Sequence, residues 1–409
     1  MAINPKDYLI LGPSMLPIHF KLLTPILEKN GYHLEILTNE GDKVKEAGLS
    51  HVHNDTCYPC LLVVGQMIDA LKRGKYDLDH TALVMTQTAG GCRASNYISL
   101  LRKALKQEGM EKVPCFSINY AGLEKGNSLH FTPTMILSLL YAAEYGDALL
   151  WLKNQIKPYE TEKGATEKAI DEIVEILIKD FESNQYLKSK KILRMIIQKM
   201  KDVPQDRNCK KVKIGIVGEI YMKYSPLGNS HLEDFLIDDG FEPVLSGVLD
   251  FGLYCIQNSF IDYKYYRMNI LQQPVMHFIK RAIMNLQNQF LEALKEDGEY
   301  DLPDNFDEVF KNGKTYINPG VKMGEGWLLT SEVVTLIKSG VDNVVMCQPF
   351  GCLPNHIVAK GMVRKIKDDY PNANIVAIDF DPSASKVNQE NRIRLLMANA
   401  RLSLQKEKL

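Results

Sequence analysis

The chain has 409 residues, of which 45% are hydrophobic and 24% are charged, as in an ordinary globular protein. A single hydrophobic core rarely grows to this length, so we expect two or three domains. The formal net charge of −1 lacks the basic excess that nucleic acids and anionic membranes attract, which argues against both as partners. The first residues lack the apolar stretch of a signal peptide, so we expect a cytoplasmic protein.

The first third of the chain alternates apolar strand patterns with amphipathic helix patterns. The order of these segments is typical of a parallel sheet. It predicts a first α/β lobe over residues 1–130, with a strand at Tyr8–Gly12, a helix at Ile18–Glu28, a strand at His33–Leu37, a strand at Ala82–Thr86, a helix at Ser95–Gln107 and a strand at Val113–Asn119.

Between the second and third predicted strands lies a stretch that carries two thiols and two imidazoles. Cys57 and Cys60 stand one turn apart at the start of a predicted helix, so they can face the same side. His51 and His53 alternate as on a strand just before these thiols. Imidazoles in such a position can donate protons or bind a metal, and we take His53 as a candidate catalytic residue.

A second thiol junction lies at Cys92, which follows the third predicted strand through the turn Gly90-Gly91 and precedes a predicted helix. Glycines at this point let backbone N–H groups approach a bulky anionic group. Arg93 follows directly, and its guanidinium is suited to neutralising a cluster or holding a substrate carboxylate or phosphate. We therefore take Arg93 as a second candidate catalytic residue.

The middle of the chain changes character. Residues 131–205 show helical periodicity without strand patterns, which predicts a helical region. The longest apolar segment of the chain, Thr134–Leu152, is interrupted by Glu144 and Asp147, so we expect a buried helix and no membrane span.

Residues 206–409 return to the α/β pattern and predict a second lobe. The fold class we expect is therefore α/β, with two Rossmann-like or flavodoxin-like parallel-sheet lobes and a helical insertion. The strands of this second lobe are predicted at Val212–Gly218, Pro243–Leu245, Asp342–Met346 and Asn374–Asp379, with a helical stretch at Ile261–Lys295 and helices at Asn355–Lys367 and Ser385–Ala400.

The second lobe repeats the thiol junction of the first. Cys352 follows a strand and Gly351, and His356, a third candidate catalytic residue, lies in the turn after it. Ligands collect where parallel strands end and helices begin, and a helix N-terminus lowers the pKa of a nearby thiol. Cys57, Cys92 and Cys352 therefore predict a metal or redox site in the cleft between the lobes.

The residues alone leave the nature of this site open. An iron–sulfur cluster, a zinc ion and unligated thiols are all compatible with three junction cysteines. Cys60 and Cys347 are additional candidate ligands that can equally be core residues, as we expect for Cys115 and Cys255, while Cys209 has no predicted role. A thioredoxin-like dithiol exchanger explains Cys57 and Cys60 but not the remote junctions.

Five segments of the sequence together resemble the 2-hydroxyacyl-CoA dehydratase family (its D-component-like, activase-related branch), whose relatives include benzoyl-CoA reductase subunits and double-cubane cluster proteins. The resemblance covers most of the chain. The segments that carry it are His53–Pro59, Thr86–Tyr97, Gly218–Tyr221, Gln348–His356 and Asp379–Gln389.

The resemblance implies a [4Fe-4S] cluster bound by Cys57, Cys92 and Cys352, with one iron open to substrate. It also implies a separate ATP-dependent activase as electron donor, a homodimer or a heterodimer of homologous subunits, and an acyl-CoA substrate that loses water. Double-cubane relatives imply an alternative, an [8Fe-9S] cluster that reduces small molecules, for which Cys60 and Cys347 are the extra candidate ligands. A non-catalytic electron-relay subunit is a further alternative.

Overall fold

The computed structural model describes residues 3–53, 55–88, 91–119, 129–208 and 210–407. Within these ranges the chain is α/β, with two parallel four-stranded sheets flanked by helices and a helical layer between them. The expected fold class is thus confirmed. Gly90 and Cys209 lie outside the described residues.

The first lobe is a parallel sheet in the order β2-β1-β3-β4, with helices against it. The strands and most of the helices agree with the sequence-based prediction to within a few residues. The strands are β1 (Leu9–Gly12), β2 (His33–Ile36), β3 (Thr81–Thr86) and β4 (Cys115–Ile118), and the helices are α1 (Pro17–Lys29), α2 (Asp42–His51), α3 (Tyr58–Lys72) and α4 (Tyr97–Gln107).

Helix α2 was not predicted from the sequence. The prediction that His51 and His53 lie on a strand is wrong, because His51 is the last residue of this helix. The helix forms through close packing on α3 rather than through a strong apolar stripe. A side chain at Gly48 would collide with Leu61, so only glycine allows the two helices to approach this closely. His51 is buried, and its ring nitrogens lie 2.6 Å from the Ala47 carbonyl oxygen and 2.6 Å from a Glu108 carboxylate oxygen.

The helical layer consists of α5 (Pro133–Ile156), α6 (Ala165–Glu182) and α7 (Ser189–Lys201). Helix α5 is long and apolar enough to cross a membrane by length and composition. However, half of its most apolar window is buried inside the protein, and it packs against α1 and α7. The structure is therefore compatible with a soluble protein in which α5 is a core helix, as the sequence predicts.

The second lobe repeats the strand order of the first, β6-β5-β7-β8, again fully parallel. Helices α13 and α14 were not predicted from the sequence. The elements are β5 (Lys213–Gly218), α8 (Ile220–Tyr224), α9 (Pro226–Asn229), α10 (Leu232–Asp238), β6 (Glu242–Val244), α11 (Val248–Tyr266), α12 (Gln273–Asp297), α13 (Phe306–Lys314), α14 (Trp327–Lys338), β7 (Asn343–Pro349), α15 (Val363–Asp369), β8 (Asn374–Phe380) and α16 (Lys386–Glu407).

The continuous helix predicted at Asn355–Lys367 is instead broken into three pieces. A turn of π-helix at Asn355–Ala359 and a 3₁₀ turn at Lys360–Met362 precede α15. Single π turns inside helices are uncommon and occur frequently at functional sites. This one begins three residues after Cys352.

The strand order places both halves of the site at equivalent positions. In each sheet the second strand pairs with one side of the first strand, and the third strand pairs with its other side. This reversal of strand order creates a topological switch point between β1 and β3 and between β5 and β7, where ligands commonly bind. The loop with Cys92 follows β3, and the loop with Cys352 follows β7. One continuous apolar core joins the lobes, with members such as Leu11, Leu149 and Val345.

Candidate metal centre

The first thiol, Cys57, directly precedes α3 and is 6% exposed. Its sulfur lies 2.8 Å from the hydroxyl oxygen of Tyr97, the first residue of α4. Burial raises the pKa of Cys57, and the Tyr97 hydrogen bond opposes this rise. The contact therefore supplies a hydrogen-bond partner for a sulfur that is otherwise removed from water.

The loop that carries Cys352 touches the loop that carries Cys57. The backbone N–H of Tyr58 donates to the carbonyl oxygen of Phe350 over 2.9 Å, so the second lobe satisfies a free N–H at the start of α3. Gly351 has a φ of +72°, and a Cβ there would lie 3.0 Å from the Cys57 Cα. Cys57 and Cys352 are thus held by direct backbone contact between the two lobes.

Cys92 belongs to the same region through a third segment, residues 321–326. A side chain at Gly91 would meet Met323, and a side chain at Gly324 would meet Pro354. The segment therefore lies against both the Cys92 loop and the Cys352 loop. The structure brings together all three junction loops that the sequence singles out.

Each of the other two junction sulfurs also accepts a hydrogen bond. The Cys92 sulfur accepts from the Ala94 N–H over 3.5 Å, and the Cys352 sulfur accepts from Asn355 Nδ2 over 3.1 Å. Asn355 is fully buried, and its Oδ1 has no hydrogen-bond partner among the described residues. Hydrogen bonds to sulfur are one of the means by which proteins tune an iron–sulfur cluster.

Two carboxyl groups that the sequence-based interpretation did not assign to the site lie beside the thiols. Glu219 Oε2 accepts from the Met222 N–H over 2.9 Å, and Glu325 Oε1 accepts from the Ile220 N–H over 3.0 Å. Burial raises the pKa of Glu219 to about 8, with a further contribution from Glu325. Burial also raises the pKa of Glu325. At neutral pH the carboxyl group of Glu219 is therefore mostly protonated.

A signal for Glu219 was present in the sequence, because it directly follows the first strand of the second lobe at the end where ligands collect. Glu325 carried no comparable signal. It lies between Gly324 and Gly326 in a segment without a periodic pattern, and only the fold brings it to the backbone of α8.

The predicted lowering of the thiol pKa values is wrong, because burial has the larger effect. Burial raises the pKa of Cys92 to about 12, and Glu325 and Glu219 add to the rise. Burial and the same two carboxyl groups raise the pKa of Cys352. Loss of hydration therefore outweighs the favourable effect of helix N-termini, and metal binding would have to displace protons from these thiols.

The three candidate catalytic residues lie near the loops but on the outside. The His53 side chain is 72% exposed, and its Nδ1 lies 3.5 Å from a carboxylate oxygen of Asp55. Arg93 is exposed and donates to the Asp55 carbonyl oxygen. His356 is exposed and its Nδ1 lies 2.5 Å from Gln348 Nε2. Their catalytic roles stay predictions.

The two additional thiols are both fully buried. Cys60 lies in the first turn of α3, where its N–H donates to the Cys57 carbonyl oxygen over 3.0 Å. Cys347 lies within β7, paired with Gly218 on one side and Ile378 on the other. Burial raises the pKa of both thiols. Cys60 and Cys347 both belong to the apolar core, which is compatible with a packing role for either thiol.

The three junction thiols are a donor set that an iron–sulfur cluster would accept. Among the described residues no group of three or more His, Cys, Asp or Glu side chains is arranged to hold one metal ion. Thiolates that bind different irons of a cluster stand farther apart than the ligands of one zinc ion. Cys57 and Cys352 are buried and Cys92 is half-buried, and each sulfur has a hydrogen-bond partner, so the three thiols in adjoining loops are a suitable donor set for a cluster.

Comparison with known proteins assigns no family to the chain. No family model matches the sequence, and no curated protein is significantly similar to it. The chemistry of the site must therefore be argued from its own residues: Cys57, Cys92 and Cys352 in adjoining loops, with Glu219 and Glu325 beside them.

Proposed function

We propose that this protein is the iron–sulfur component of a 2-hydroxyacyl-CoA dehydratase-like system in the cytoplasm. In this proposal a separate ATP-dependent activase supplies a low-potential electron. The observation that supports it best is the contact of the Cys57 and Cys352 loops across the two lobes, through the Tyr58–Phe350 hydrogen bond. A dithiol exchanger built on Cys57 and Cys60 would have no use for that contact.

The residues that would hold a [4Fe-4S] cluster are Cys57, Cys92 and Cys352. When bound, the cluster would supply one-electron reduction and, with three protein ligands, one iron without a protein ligand. The chain itself contributes burial and positioning. Cys57 and Cys352 are both less than one-tenth exposed, which limits access of water and oxygen, and the Tyr97 and Asn355 contacts fix two of the sulfurs.

The proton needed for dehydration has a source in the same place. Loss of water from a 2-hydroxyacyl group breaks the C2–O bond and a C3–H bond and forms a C2–C3 double bond, and the departing hydroxyl takes a proton to leave as water. Glu219, with a pKa of about 8, is protonated at neutral pH and suited to donate that proton, with Glu325 beside it. Arg93 is suited to hold an anionic group of the acyl-CoA at the outer edge of the loops.

An [8Fe-9S] double-cubane reductase of small molecules is the second candidate function. The position of Cys60, one turn from Cys57 at the start of α3, is the observation that favours it. In that case Cys60, and Cys347 if it also ligates, would extend the ligand set. A non-catalytic relay subunit would carry the cluster without responding to any substrate.

For the proposed dimer, of identical or homologous subunits, an exposed apolar surface is the candidate interface. The connection between α11 and α12 and the first turns of α12 expose large apolar side chains, including Leu271 at 90% and Phe278 at 74% exposure. Exposed apolar patches of this kind commonly mark protein–protein contacts.

The test is the content of iron, zinc and acid-labile sulfide in protein purified without oxygen, together with its visible spectrum. About four irons per chain with sulfide support the proposal, and about eight favour the double cubane. A spectral change on addition of a 2-hydroxyacyl-CoA to the reduced protein would separate an enzyme from a relay. Zinc without sulfide would overturn the proposal.

A further inference from the structure

A separate cavity lies between the helical layer and the second lobe, and its lining contains none of the three junction cysteines. The space between its walls, including the open mouth, is about 930 Å³. Its walls come from α5, from β5 and β6, and from α11, α12 and α14. The exposed residue Asp304 marks its mouth.

Besides Asp304 at the mouth, four carboxyl groups line this cavity. Glu144 and Asp147 lie one turn apart on the same face of α5, so both point in the same direction. Asp250 lies in the first turn of α11, and Glu332 lies on α14. All but Asp147 are less than one-tenth exposed, and Asp147 has a side-chain exposure of 12%.

Two of these carboxylates are fully engaged in the protein's own structure. Asp147 accepts from the N–H groups of Val248 and Leu249 over 2.7 and 3.0 Å and lies 2.8 Å from His19 Nε2. Glu332 accepts from Lys223 over 2.7 Å and from the Ser246 hydroxyl over 2.7 Å.

The other two carboxyl groups are left with spare acceptor capacity. Asp250 accepts one hydrogen bond, from Gln287 Nε2 over 2.9 Å. Glu144 is 2% exposed and has no hydrogen-bond partner among the described residues. A buried carboxyl group without a partner is costly, which points to a partner that the chain itself does not supply.

The charges of the lining define the chemistry of that partner. Lys223 is the one lysine or arginine in the described lining, and Glu332 already holds it. Burial raises the pKa of Glu144, and it raises the pKa of Asp250 to about 7. A cation between these two groups would favour their ionised forms and offset the free-energy cost of removing the carboxylates from water.

The side chains of the lining indicate which kind of cation the cavity would bind. The described residues contain no group of three or more His, Cys, Asp or Glu side chains suited to one metal ion, so an inorganic ion lacks its ligand set here. The remaining walls are largely apolar and include Leu150, Trp151, Ile216 and Phe290. We propose that this cavity binds a small primary alkylammonium compound, with its ammonium group between Glu144 and Asp250 and its hydrocarbon part against the apolar wall.

The test is isothermal titration of the full chain at pH 7 with n-butylammonium and with 1,4-diaminobutane, repeated in two buffers of different ionisation enthalpy. We expect binding with release of protons, because the cation ionises Glu144 and Asp250. We expect Glu144→Gln to weaken binding at least about tenfold, the size of a lost charged hydrogen bond. The control Glu172→Gln changes an exposed carboxylate on α6 and should bind like the wild type.

1-Butanol has the same hydrocarbon chain without the charge, and we expect it not to bind. Absence of heat with both amines, equal affinity in Glu144→Gln, or equal binding of 1-butanol would overturn the proposal. If Glu144→Gln fails to fold, Asp250→Asn serves as the second variant and must show the same loss of affinity.

Discussion

The N–H of Tyr58 donates to the Phe350 carbonyl oxygen over 2.9 Å and so joins the start of α3 in the first lobe to the loop after β7 in the second. This hydrogen bond runs between the neighbours of two candidate ligands, Cys57 and Cys352. The geometry of the site therefore depends on how the lobes are docked, and perturbing that docking should disturb metal binding before it unfolds either lobe.

Gly351→Ala should weaken the contact between the lobes. Alanine at a φ of +72° costs roughly 1–2 kcal/mol, and its Cβ would lie 3.0 Å from the Cys57 Cα. We expect lower iron content and a lower midpoint in urea unfolding. Gly361→Ala is the control, because its surroundings leave room for a methyl group. Equal behaviour of the two variants would contradict the role of Gly351.

Cys92→Ser should lose most of the iron and sulfide of protein purified without oxygen, because serine is a poor ligand for a cluster iron. Cys255→Ser is the matched control, since Cys255, which was wrongly predicted from the sequence to be a core residue, is an exposed thiol on α11. We expect the control to retain the wild-type iron content and spectrum. Retention of full iron by both variants would exclude Cys92 as a ligand.

Tyr97→Phe removes the hydroxyl that lies 2.8 Å from the Cys57 sulfur and leaves the ring in place. We expect iron to be retained and the reduction potential to become more negative, because hydrogen bonds to ligand sulfur stabilise the reduced cluster. Redox titration followed by electron paramagnetic resonance measures this change. Tyr76→Phe, on the surface of the first lobe, should leave the potential unchanged, and an unchanged potential in Tyr97→Phe would argue against Cys57 ligation.

Asp250→Asn should change how stability depends on pH. Burial raises the pKa of Asp250 from 3.8 to about 7, so the folded state holds a proton that the unfolded state releases. Stability from this group is therefore greatest below about pH 4 and falls as pH rises towards about 7, by about 1.4 kcal/mol per unit. The variant should lack that decline in urea unfolding between pH 4.5 and 7. Parallel curves for both proteins would show that Asp250 titrates normally.

Leu271→Lys should weaken the proposed dimer, because a charge would replace a side chain that is 90% exposed in the single chain. Analytical ultracentrifugation should show a larger monomer fraction at the same concentration. Leu402→Lys, also at an exposed leucine but on α16, should not change the fraction. A wild-type protein that is monomeric at all concentrations would remove this surface from consideration.

Much of the fold could be predicted from the sequence, because buried parallel strands form short continuous apolar runs and amphipathic helices repeat apolar residues every three to four positions. All eight strands of the two described sheets correspond to predicted strands. Helices α2 and α14 were not predicted from the sequence, for opposite physical reasons. Helix α2 buries few apolar side chains, with Gly48 at its contact with α3, whereas α14 is buried almost all round and shows no polar face.

The sequence by itself determined the three thiol junctions, since each cysteine directly precedes a helical turn and Cys92 and Cys352 also follow a strand. Only the tertiary structure decided what surrounds them. Glu325, more than two hundred residues from Cys92, reaches the site because its segment packs against the loops of Cys92 and Cys352. Burial in this region raises the thiol pKa values, which helix N-termini alone were expected to lower. Local pattern fixes periodicity and spacing, whereas burial and charge proximity depend on contacts between residues far apart in the chain.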